Sequence, residues 1–418
     1  MTTTSKKKLE RKIAQHFETK HHLADIYSQY TGGYMKDPAR KLFLESKHLR
    51  AMNASVGCRV YGFNRYACGE CGDVVEVKMS CHHRFCARCG AAASNKWAGK
   101  LSKRLLPILH GHLVFTLPFF LRALAKRNEN VFYEALFRLS SKAVRDVLRE
   151  KYGVEVGTIT VLHTYGSDLK YHPHVHMIVS CGGIRRGSMQ AMKSDYLCDH
   201  KILAERFETL FKDHLCTLYA QNALNTEGVL DEGQDMPTYL ETHNKQSWIV
   251  GLNLGIQDTE RLIGYCGRYL RRACLSEYRI QSIDKGEISF SFNDYKNTPR
   301  GEKTVVNTKT MPVTAFLDSL LQHVPDKGFV GVRYCGIYAN ASKSLQKCGY
   351  FKPNIAPKSD AKEEDSQEDN EEKSDLTHFR QTQSEDFLIC ECCGQERLLI
   401  SSSMKSSVFK YFTPFNDS

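Results

Sequence analysis

The alternation of hydrophobic and polar positions divides the middle of the chain into short strands and longer helices. Residues 111–118 form an apolar run that ends at Pro118, which lacks the N–H needed to continue a sheet, so this run predicts a strand. Apolar positions from Val131 to Val147 recur every three or four residues and predict an amphipathic helix that ends near Gly153. The same patterns predict further strands at Thr158–Thr164, His174–Cys181, Trp248–Leu254, Glu287–Tyr295, Lys303–Lys309 and Val330–Tyr338, and helices at Ile202–Leu218, Thr259–Cys274 and Pro312–His323.

This order of elements predicts an α+β fold. A β-α-β-β-α-β arrangement fits a ferredoxin-like antiparallel sheet, whose helices pack on one face and leave the other face open for a ligand. We assign this domain to residues 108–345, and a small zinc-knuckle module precedes it at residues 58–97. Residues 1–57 combine helical spacing with many Lys and Arg residues and predict a basic helical arm. Residues 357–376 are acidic and lack aromatics, which predicts a disordered linker before a cysteine-containing tail at 377–418.

Composition and charge narrow the possible function classes. The 418 residues carry a formal charge of +11, and 41% of them are hydrophobic, as in a globular protein. Residues 359–418 hold 14 acidic and 6 basic residues, so the preceding part has 52 basic against 33 acidic residues and should attract polyanions such as nucleic acid. The longest apolar run, Leu113–Leu121, is too short to span a membrane. The polar start, with Lys6 to Lys8, shows no secretory signal, so a reducing cytosol is the expected compartment.

The sixteen cysteines point to metal binding, because disulfides are rare in a reducing compartment. Two C-x-x-C pairs stand 14 residues apart, and each is followed by a glycine that suits a tight turn. Such pairs can place four thiolates tetrahedrally around one structural Zn²⁺, here Cys68, Cys71, Cys86 and Cys89. Cys81, His82 and His83 are then surplus: either one of them replaces a knuckle cysteine or a second metal binds.

The segment His172-Pro-His174-Val-His176 predicts a second metal site. In a strand, His174 and His176 point to the same face about 6.6 Å apart, close enough for both imidazoles to bind one divalent cation. His172 lies on that face too, but about 13 Å from His176. A third ligand should come from a neighbouring element. His163, at the end of the preceding strand, is the candidate, with a carboxylate or amide elsewhere as the alternative.

A pair of tyrosines in the predicted helix Thr259–Cys274 could supply a nucleophile. Tyr265 and Tyr269 are four residues apart and share one helix face, while three arginines nearby can reach phosphates: Arg268, Arg271 and Arg272. Tyrosine pairs in helices are common in cores, so the pair alone indicates packing. Together with the His-x-His metal site it suits a nuclease in which a phenolate oxygen attacks a scissile phosphate polarised by a metal ion.

These motifs stand in an order that resembles the two-tyrosine HUH transposases of rolling-circle bacterial insertion sequences. The resemblance covers about residues 50–345. It is carried by the cysteine segment, Phe115-Thr-Leu-Pro118, Leu162-His-Thr-Tyr-Gly166, His172-Pro-His-Val-His176, Gly182-Gly183 and Tyr265-x-x-x-Tyr269. In the tail, Cys390-x-x-Cys393 encloses an extra cysteine, Cys392, and a second zinc there remains an open alternative.

The resemblance implies a nickase and strand transferase that acts on single-stranded DNA at transposon ends, without a nucleotide cofactor. Tyr265 and Tyr269 would be alternating nucleophiles that form 5′-phosphotyrosine links, and His174 and His176 would hold Mg²⁺ or Mn²⁺. The protein would act in the bacterial cytoplasm at the nucleoid. Two alternatives remain, a non-catalytic zinc DNA-binding regulator and a plasmid rolling-circle replication initiator.

Overall fold

Nine helices and twelve strands occur in the part of the chain that the computed structural model describes. That part comprises residues 21–58, 62–102, 104–192, 198–245, 248–256, 274–295, 297–299, 302, 304–339, 388–390 and 392–404. The helices are α1 Leu23–Tyr34, α2 Pro38–Phe43, α3 Ser46–Gly57, α4 Ala87–Ser102, α5 Arg122–Arg127, α6 Glu129–Tyr152, α7 His200–Ala220, α8 Met236–Thr242 and α9 Val313–Leu321. The strands are β1 Gly62–Cys68, β2 Val74–Lys78, β3 His110–Thr116, β4 Glu155–Tyr165, β5 Tyr171–Arg185, β6 Ser188–Ala191, β7 Ile249–Ile256, β8 Ile280–Asp284, β9 Glu287–Asp294, β10 Val305–Pro312, β11 Val332–Gly336 and β12 Arg397–Met404.

The largest sheet has the strand order β11-β4-β5-β3-β7, and β6 pairs with the end of β5. All of these pairings are antiparallel. Along the chain, α6 connects β3 to β4, and α7 lies between the β5–β6 hairpin and β7. Mixed helices and antiparallel sheets confirm the predicted α+β class.

Side chains alternate between the two faces of this sheet, as the period of a strand requires. Phe115, Val175 and Met177 are fully buried on one face, in a core that includes the buried stripes of α6 and α7. A fully buried side chain of this size stabilises the fold by roughly 1.5–3 kcal/mol. Helix α6 ends where Gly153 takes a left-handed conformation with φ +66, which lets the chain turn directly into β4.

The opposite face carries a row of histidines and is covered only in part. Helix α4 packs there through Trp97 and Leu101, which join Ile159 and Ile178 in a smaller core. The indole N–H of Trp97 donates a hydrogen bond to the Tyr334 hydroxyl over 3.0 Å. The cysteine-rich segment is therefore joined to the sheet on the histidine side.

Helices α1 and α3 pack in a separate core with α9 and the sheet β10-β9-β8. Tyr27, Tyr34 and Met52 are buried there against Phe290 and Phe316. The helices of the segment predicted as an N-terminal arm therefore share a core with residues near 280–324, and residues 1–20 lie outside the described part.

Most predicted elements are confirmed by the structure. The strand ending before Pro118 is β3, the helix ending near Gly153 is α6, and the segments containing His163 and His174 are β4 and β5. The predicted partner of Glu287–Tyr295 is present as β10, which begins two residues later and ends three residues later than predicted. The predicted helix Thr259–Cys274 and linker 357–376 fall outside the described residues, except for Cys274. Among the helices described, none has the length and apolar character needed to cross a membrane.

Candidate functional site

Three histidines from two adjacent strands converge on the open face of the main sheet. His163 of β4 is directly opposite His174 of β5, and His176 follows two positions later on the same face. The Nε2 atoms of His174 and His176 are 3.2 Å apart. One ring nitrogen from each of the three lies within 4.8 Å of the others. The structure thus brings together the three histidines that the sequence proposed as one ligand set.

Hydrogen bonds orient two of these rings. His174 Nδ1 is 2.7 Å from the backbone carbonyl of His172, and because a carbonyl oxygen only accepts, Nδ1 carries the proton. The lone pair of a neutral His174 is therefore on Nε2, which faces His176. His176 Nδ1 is in turn 3.0 Å from Nε2 of His112, which lies on the neighbouring strand β3. A proton on His176 Nδ1 likewise leaves its Nε2 as the acceptor that faces the cluster.

Burial keeps these imidazoles in the neutral form that can bind a cation. Burial lowers the pKa of His174 to about 4. It also lowers the pKa of His176 well below its ordinary value, and the nearby His163, His174 and His112 lower it further. The pKa of His112 is lowered to about 4 by burial alone. At neutral pH each of these rings therefore has a nitrogen lone pair to offer a ligand.

A cleft of about 80 Å³ opens beside His163 and connects the sheet to the cysteine-rich segment. Arg84 and Phe85 line it from that segment, and His323 lines it from the chain after α9. The Arg84 guanidinium donates a hydrogen bond to the backbone carbonyl of Phe329 over 3.2 Å. His323 is 3.0 Å from the Thr164 hydroxyl. These contacts fix the position of a cationic side chain next to the histidine cluster.

The predicted nucleophiles lie outside the described residues. Tyr265 and Tyr269, together with the arginines Arg268, Arg271 and Arg272, fall within residues 257–273. Strand β7 immediately precedes this stretch. Strand β7 pairs with β3, the strand that carries His112. The roles of these five residues stay predictions.

Eight of the described cysteines form two separate clusters at the two ends of the β1–β2 hairpin. The first cluster lies where β1 begins and β2 ends. Its four sulfur atoms lie within 4.8 Å of one another and belong to Cys58, Cys81, Cys86 and Cys89. Two of its sulfur–sulfur distances are 3.5 and 3.6 Å. At the turn of the hairpin, a second cluster contains Cys68, Cys71, Cys390 and Cys393. We call these the open-end cluster and the turn-end cluster.

The predicted grouping of Cys68, Cys71, Cys86 and Cys89 around one ion is therefore corrected. The physical reason is the length of the hairpin. After the knuckle at Cys68 and Cys71, the five residues of β2 carry the chain about 16 Å away before Cys81 is reached. Cys86 and Cys89 consequently meet Cys58, which precedes β1, and Cys81. Both alternatives that the sequence left open for Cys81 hold. Cys81 takes the place of a knuckle cysteine beside Cys86 and Cys89, and a second group of four thiols exists.

Sequence reasoning missed Cys58 and His112, and it did not predict which cysteines Cys390 and Cys393 would meet. Cys58 lies outside any C-x-x-C pair, so its spacing gave no signal. One sequence feature could have suggested that Cys390 and Cys393 meet the first knuckle. Both this pair and the first knuckle have the pattern C-x-x-C-G. His112 could have been found from its position on β3, since His110 and His112 alternate with apolar residues as the ligand histidines do.

Comparison with known proteins gives two family matches and two close relatives. Residues 157–345 match the family described as "Putative transposase", and residues 26–117 match the "Transposase zinc-binding domain". The chain is 30% identical over 337 residues to "Putative transposase y4qJ" of Sinorhizobium fredii, covering 78% of this chain and 83% of that protein. It is 28% identical over 305 residues to the transposase for insertion sequence element IS801 of Pseudomonas savastanoi pv. phaseolicola. This match covers 72% of this chain and 70% of that protein. No solved structure gives a significant match.

Proposed function

Because the chain belongs to the IS91 family of rolling-circle insertion-sequence transposases with a zinc-binding domain, we propose that it nicks and rejoins single-stranded DNA at transposon ends through 5′-phosphotyrosine intermediates. Family membership implies rolling-circle transposition and DNA binding. The observation that carries the finer proposal is the convergence of His163, His174 and His176 on the open face of the main sheet. The predicted nucleophiles Tyr265 and Tyr269 follow the strand β7 of that same sheet.

The topology of the main sheet supports an HUH nuclease of the ferredoxin-like type. The order β7-β3-β5-β4, with connecting helices α6 and α7 on one face, is the order expected of a split β-α-β-β-α-β unit. Such a unit leaves one face of the central strands free of its own helices. The histidine cluster lies on that face, at the central strand β5 and its neighbour β4.

The residues present fit a divalent cation. Three ring nitrogens lie within 4.8 Å of one another, and the contacts of His174 Nδ1 with the His172 carbonyl and of His176 Nδ1 with His112 leave both Nε2 atoms directed at the cluster. A bound Mg²⁺ or Mn²⁺ supplies Lewis-acid polarisation of a scissile phosphate. The three protein ligands leave further coordination positions for oxygen atoms of DNA and water, which these ions prefer.

The tyrosines would carry out two chemically balanced exchanges. The phenol oxygen of one tyrosine loses its proton and attacks the phosphorus, and the bond to the 3′-oxygen of the preceding nucleotide breaks. That oxygen leaves as a 3′-hydroxyl after taking up a proton, while the 5′-phosphate stays on the tyrosine. A 3′-hydroxyl of another strand then attacks the phosphotyrosine and releases the phenol. Each step exchanges one phosphodiester for another, so no nucleotide cofactor is needed.

Basic and cysteine-rich parts of the chain would hold the DNA. Arg268 lies between the two tyrosines in sequence, Arg271 and Arg272 follow them, and all three are proposed to contact phosphates. The family match to a zinc-binding domain and the cysteine clusters support a structural Zn²⁺. We assign it to the open-end cluster, since all four of its thiols lie within the matched residues 26–117.

The proposed chemistry is tested by looking for the covalent intermediate. The purified chain is incubated with Mn²⁺ and single-stranded oligonucleotides copied from each end of the element that encodes it. We expect a protein–DNA adduct that survives denaturation, and a released fragment with a free 3′-hydroxyl. Mass spectrometry should map the adduct to Tyr265 or Tyr269. Double-stranded oligonucleotides of the same sequence and reactions with a chelator are the controls.

Three outcomes would contradict this proposal. DNA binding without any adduct would favour the alternative of a non-catalytic zinc DNA-binding regulator. An adduct formed on plasmid replication origins but on neither element end would favour a replication initiator. Metal-independent nicking would remove the assigned role of the histidine cluster.

The hydrogen bond between His176 Nδ1 and His112 Nε2 leads to a prediction about ligand orientation. We expect His112→Phe, which fills a similar volume but lacks the ring nitrogen 3.0 Å from His176 Nδ1, to weaken Mn²⁺ binding by roughly 10–100-fold. Titration of the metal-free protein with Mn²⁺, followed by electron paramagnetic resonance, measures this affinity. His112→Asn can still accept a hydrogen bond and should recover part of the loss. Equal affinities in all three proteins would show that His112 does not orient the ligand.

A further inference from the structure

The turn-end cluster joins residues from two distant parts of the described chain. Cys68 and Cys71 come from the zinc-binding domain, whereas Cys390 and Cys393 lie more than 300 positions later and outside both family matches. We propose that this cluster binds a second structural Zn²⁺, which fastens the C-terminal tail to the β1–β2 hairpin. The zinc assigned to the open-end cluster has all of its ligands in one contiguous segment, so it cannot perform this fastening.

The geometry of the four thiols fits a tetrahedral zinc. Cys68 and Cys393 have their sulfurs 3.4 Å apart, Cys71 and Cys390 3.5 Å, and Cys71 and Cys393 3.7 Å. Zn–S bonds of about 2.3 Å require ligand sulfurs about 3.8 Å apart. A disulfide would need about 2.05 Å, and all four cysteines are free thiols.

The two knuckles have the same local structure. Cys68 N–H donates to the Asp73 carbonyl and Gly72 N–H to the Cys68 carbonyl, over 2.9 and 3.0 Å. In the tail, Cys390 N–H donates to the Gln395 carbonyl and Gly394 N–H to the Cys390 carbonyl, over 2.7 and 2.8 Å. Gly72 and Gly394 have φ +71 and +74, a conformation that favours glycine. Two matching turns that face each other with their thiols are how zinc ribbons build a closed structural site.

Other contacts already hold the tail in register beside the hairpin. Strand β12 pairs antiparallel with β1 along the full length of β1, giving a three-stranded sheet of order β12-β1-β2. Arg397, only 5% exposed, donates to the Asp73 carboxylate over 2.5 and 3.1 Å and to the Ile389 carbonyl over 2.8 Å. The tail is thus recognised by the residue that directly follows the first knuckle and its glycine.

These contacts bury too little apolar surface to hold the tail by themselves. The core of this small sheet contains only three buried residues among those described, Tyr66, Val77 and Leu388. Leu398 and Ile400 of β12 remain 60% and 57% exposed. A module of this size commonly depends on a metal, because the binding free energy of the ion becomes folding free energy. Zinc at the turn-end cluster supplies that missing contribution.

Zinc counting tests the site directly. A thiol-specific mercurial releases zinc held by cysteines but leaves histidine-bound metal, and a colorimetric chelator then measures the released ion. We expect two zinc ions per chain for the natural sequence, one for each cluster, and one for Cys393→Ser. Cys392→Ser is the matched control, because the neighbouring Cys392 is exposed and outside the cluster, and it should keep both. Equal zinc in Cys393→Ser and in Cys392→Ser, whatever the total in the natural chain, would overturn the proposal.

Cleavage within the predicted linker tests whether the ion holds the tail. A recognition sequence for a specific protease is inserted between residues 357 and 376 of the full-length chain, which is then cut. In gel filtration with zinc present, the tail fragment should elute with the rest of the chain, and it should do the same in Cys392→Ser. It should separate in Cys393→Ser. A natural tail that separates with zinc bound, or a Cys393→Ser tail that stays attached, would contradict the role of the ion. Since this readout involves no DNA, it is independent of the proposed nicking.

Discussion

Replacing His176 by Ala is expected to reduce metal-dependent nicking of single-stranded end DNA by about 10³-fold or more. His176 lies at the centre of the cluster, with its Nε2 atom 3.2 Å from that of His174 and its Nδ1 atom 3.0 Å from His112. Losing it removes one ligand nitrogen and the contact through which His112 orients the site. Metal-ion polarisation of a phosphate contributes several kcal/mol, and each 1.36 kcal/mol corresponds to tenfold in rate.

The measurement compares single-turnover nicking rates at saturating Mn²⁺ with binding of the same oligonucleotide. Binding should change only a few-fold, because phosphate contacts by basic residues supply most of the affinity for nucleic acid. His172→Ala is a useful comparison on the same strand. It removes a ring 5.1 Å from that of His174 but keeps the backbone carbonyl that orients His174, so a loss below about tenfold is expected. If His176→Ala nicked as fast as His172→Ala, the cluster would not be the catalytic metal site.

The histidine cluster could be predicted from the sequence because its geometry is local. A strand has a period of two, so His174 and His176 had to share a face once β5 was identified. His163 followed from one further step, since two strands joined by a short connection usually pair. The register places His163 opposite His174. No other feature of the fold was needed to bring these three side chains together.

The cysteine clusters could be predicted only in part, because their partners are set by non-local contacts. Spacing identifies a knuckle, but it does not say which knuckles meet. Within the hairpin, the length of β2 separates Cys71 from Cys86, and this could have been estimated from the valine-rich run at 74–77. The meeting of Cys68 with Cys393 depends on the pairing of β12 with β1. The sequence of β12, Arg397–Met404, has three consecutive serines before Met404, and its pattern of apolar and polar residues does not indicate which strand it pairs with.

The helical N-terminal segment illustrates the same limit. The helical spacing of residues 1–57, with many Lys and Arg residues between the apolar positions, predicts a basic arm. Tyr27 and Tyr34 are buried, and the Tyr34 hydroxyl donates to Asp318 of α9 over 2.6 Å. Hydrophobic periodicity indicates which face of a helix is apolar, but it does not indicate which other elements cover that face.

Replacing both Tyr265 and Tyr269 by Phe is expected to abolish the covalent adduct and the nicking, by roughly 10⁴-fold or more. Phenylalanine keeps the ring and most of its volume but lacks the oxygen that attacks phosphorus, so packing and DNA binding should persist. Each single variant should retain an adduct on the remaining tyrosine, detected by mass spectrometry of the tryptic peptide. The single variants should fail to transfer the strand to a second site, because transfer needs both phenols in turn.

The control for the tyrosine variants is Tyr278→Phe, a nearby tyrosine that is 58% exposed and follows the same stretch of chain. It should nick and form adducts as the natural protein does, which separates a specific loss from a general effect of removing a hydroxyl.

The histidine and tyrosine variants should also differ in how their activity responds to added metal. Without His176, added Mn²⁺ binds weakly and a residual rate should rise with its concentration, whereas without both phenols no metal concentration restores an adduct. Unaltered nicking by the double Phe variant would remove the tyrosines from the mechanism while leaving the metal cluster to be explained by another nucleophile, such as activated water.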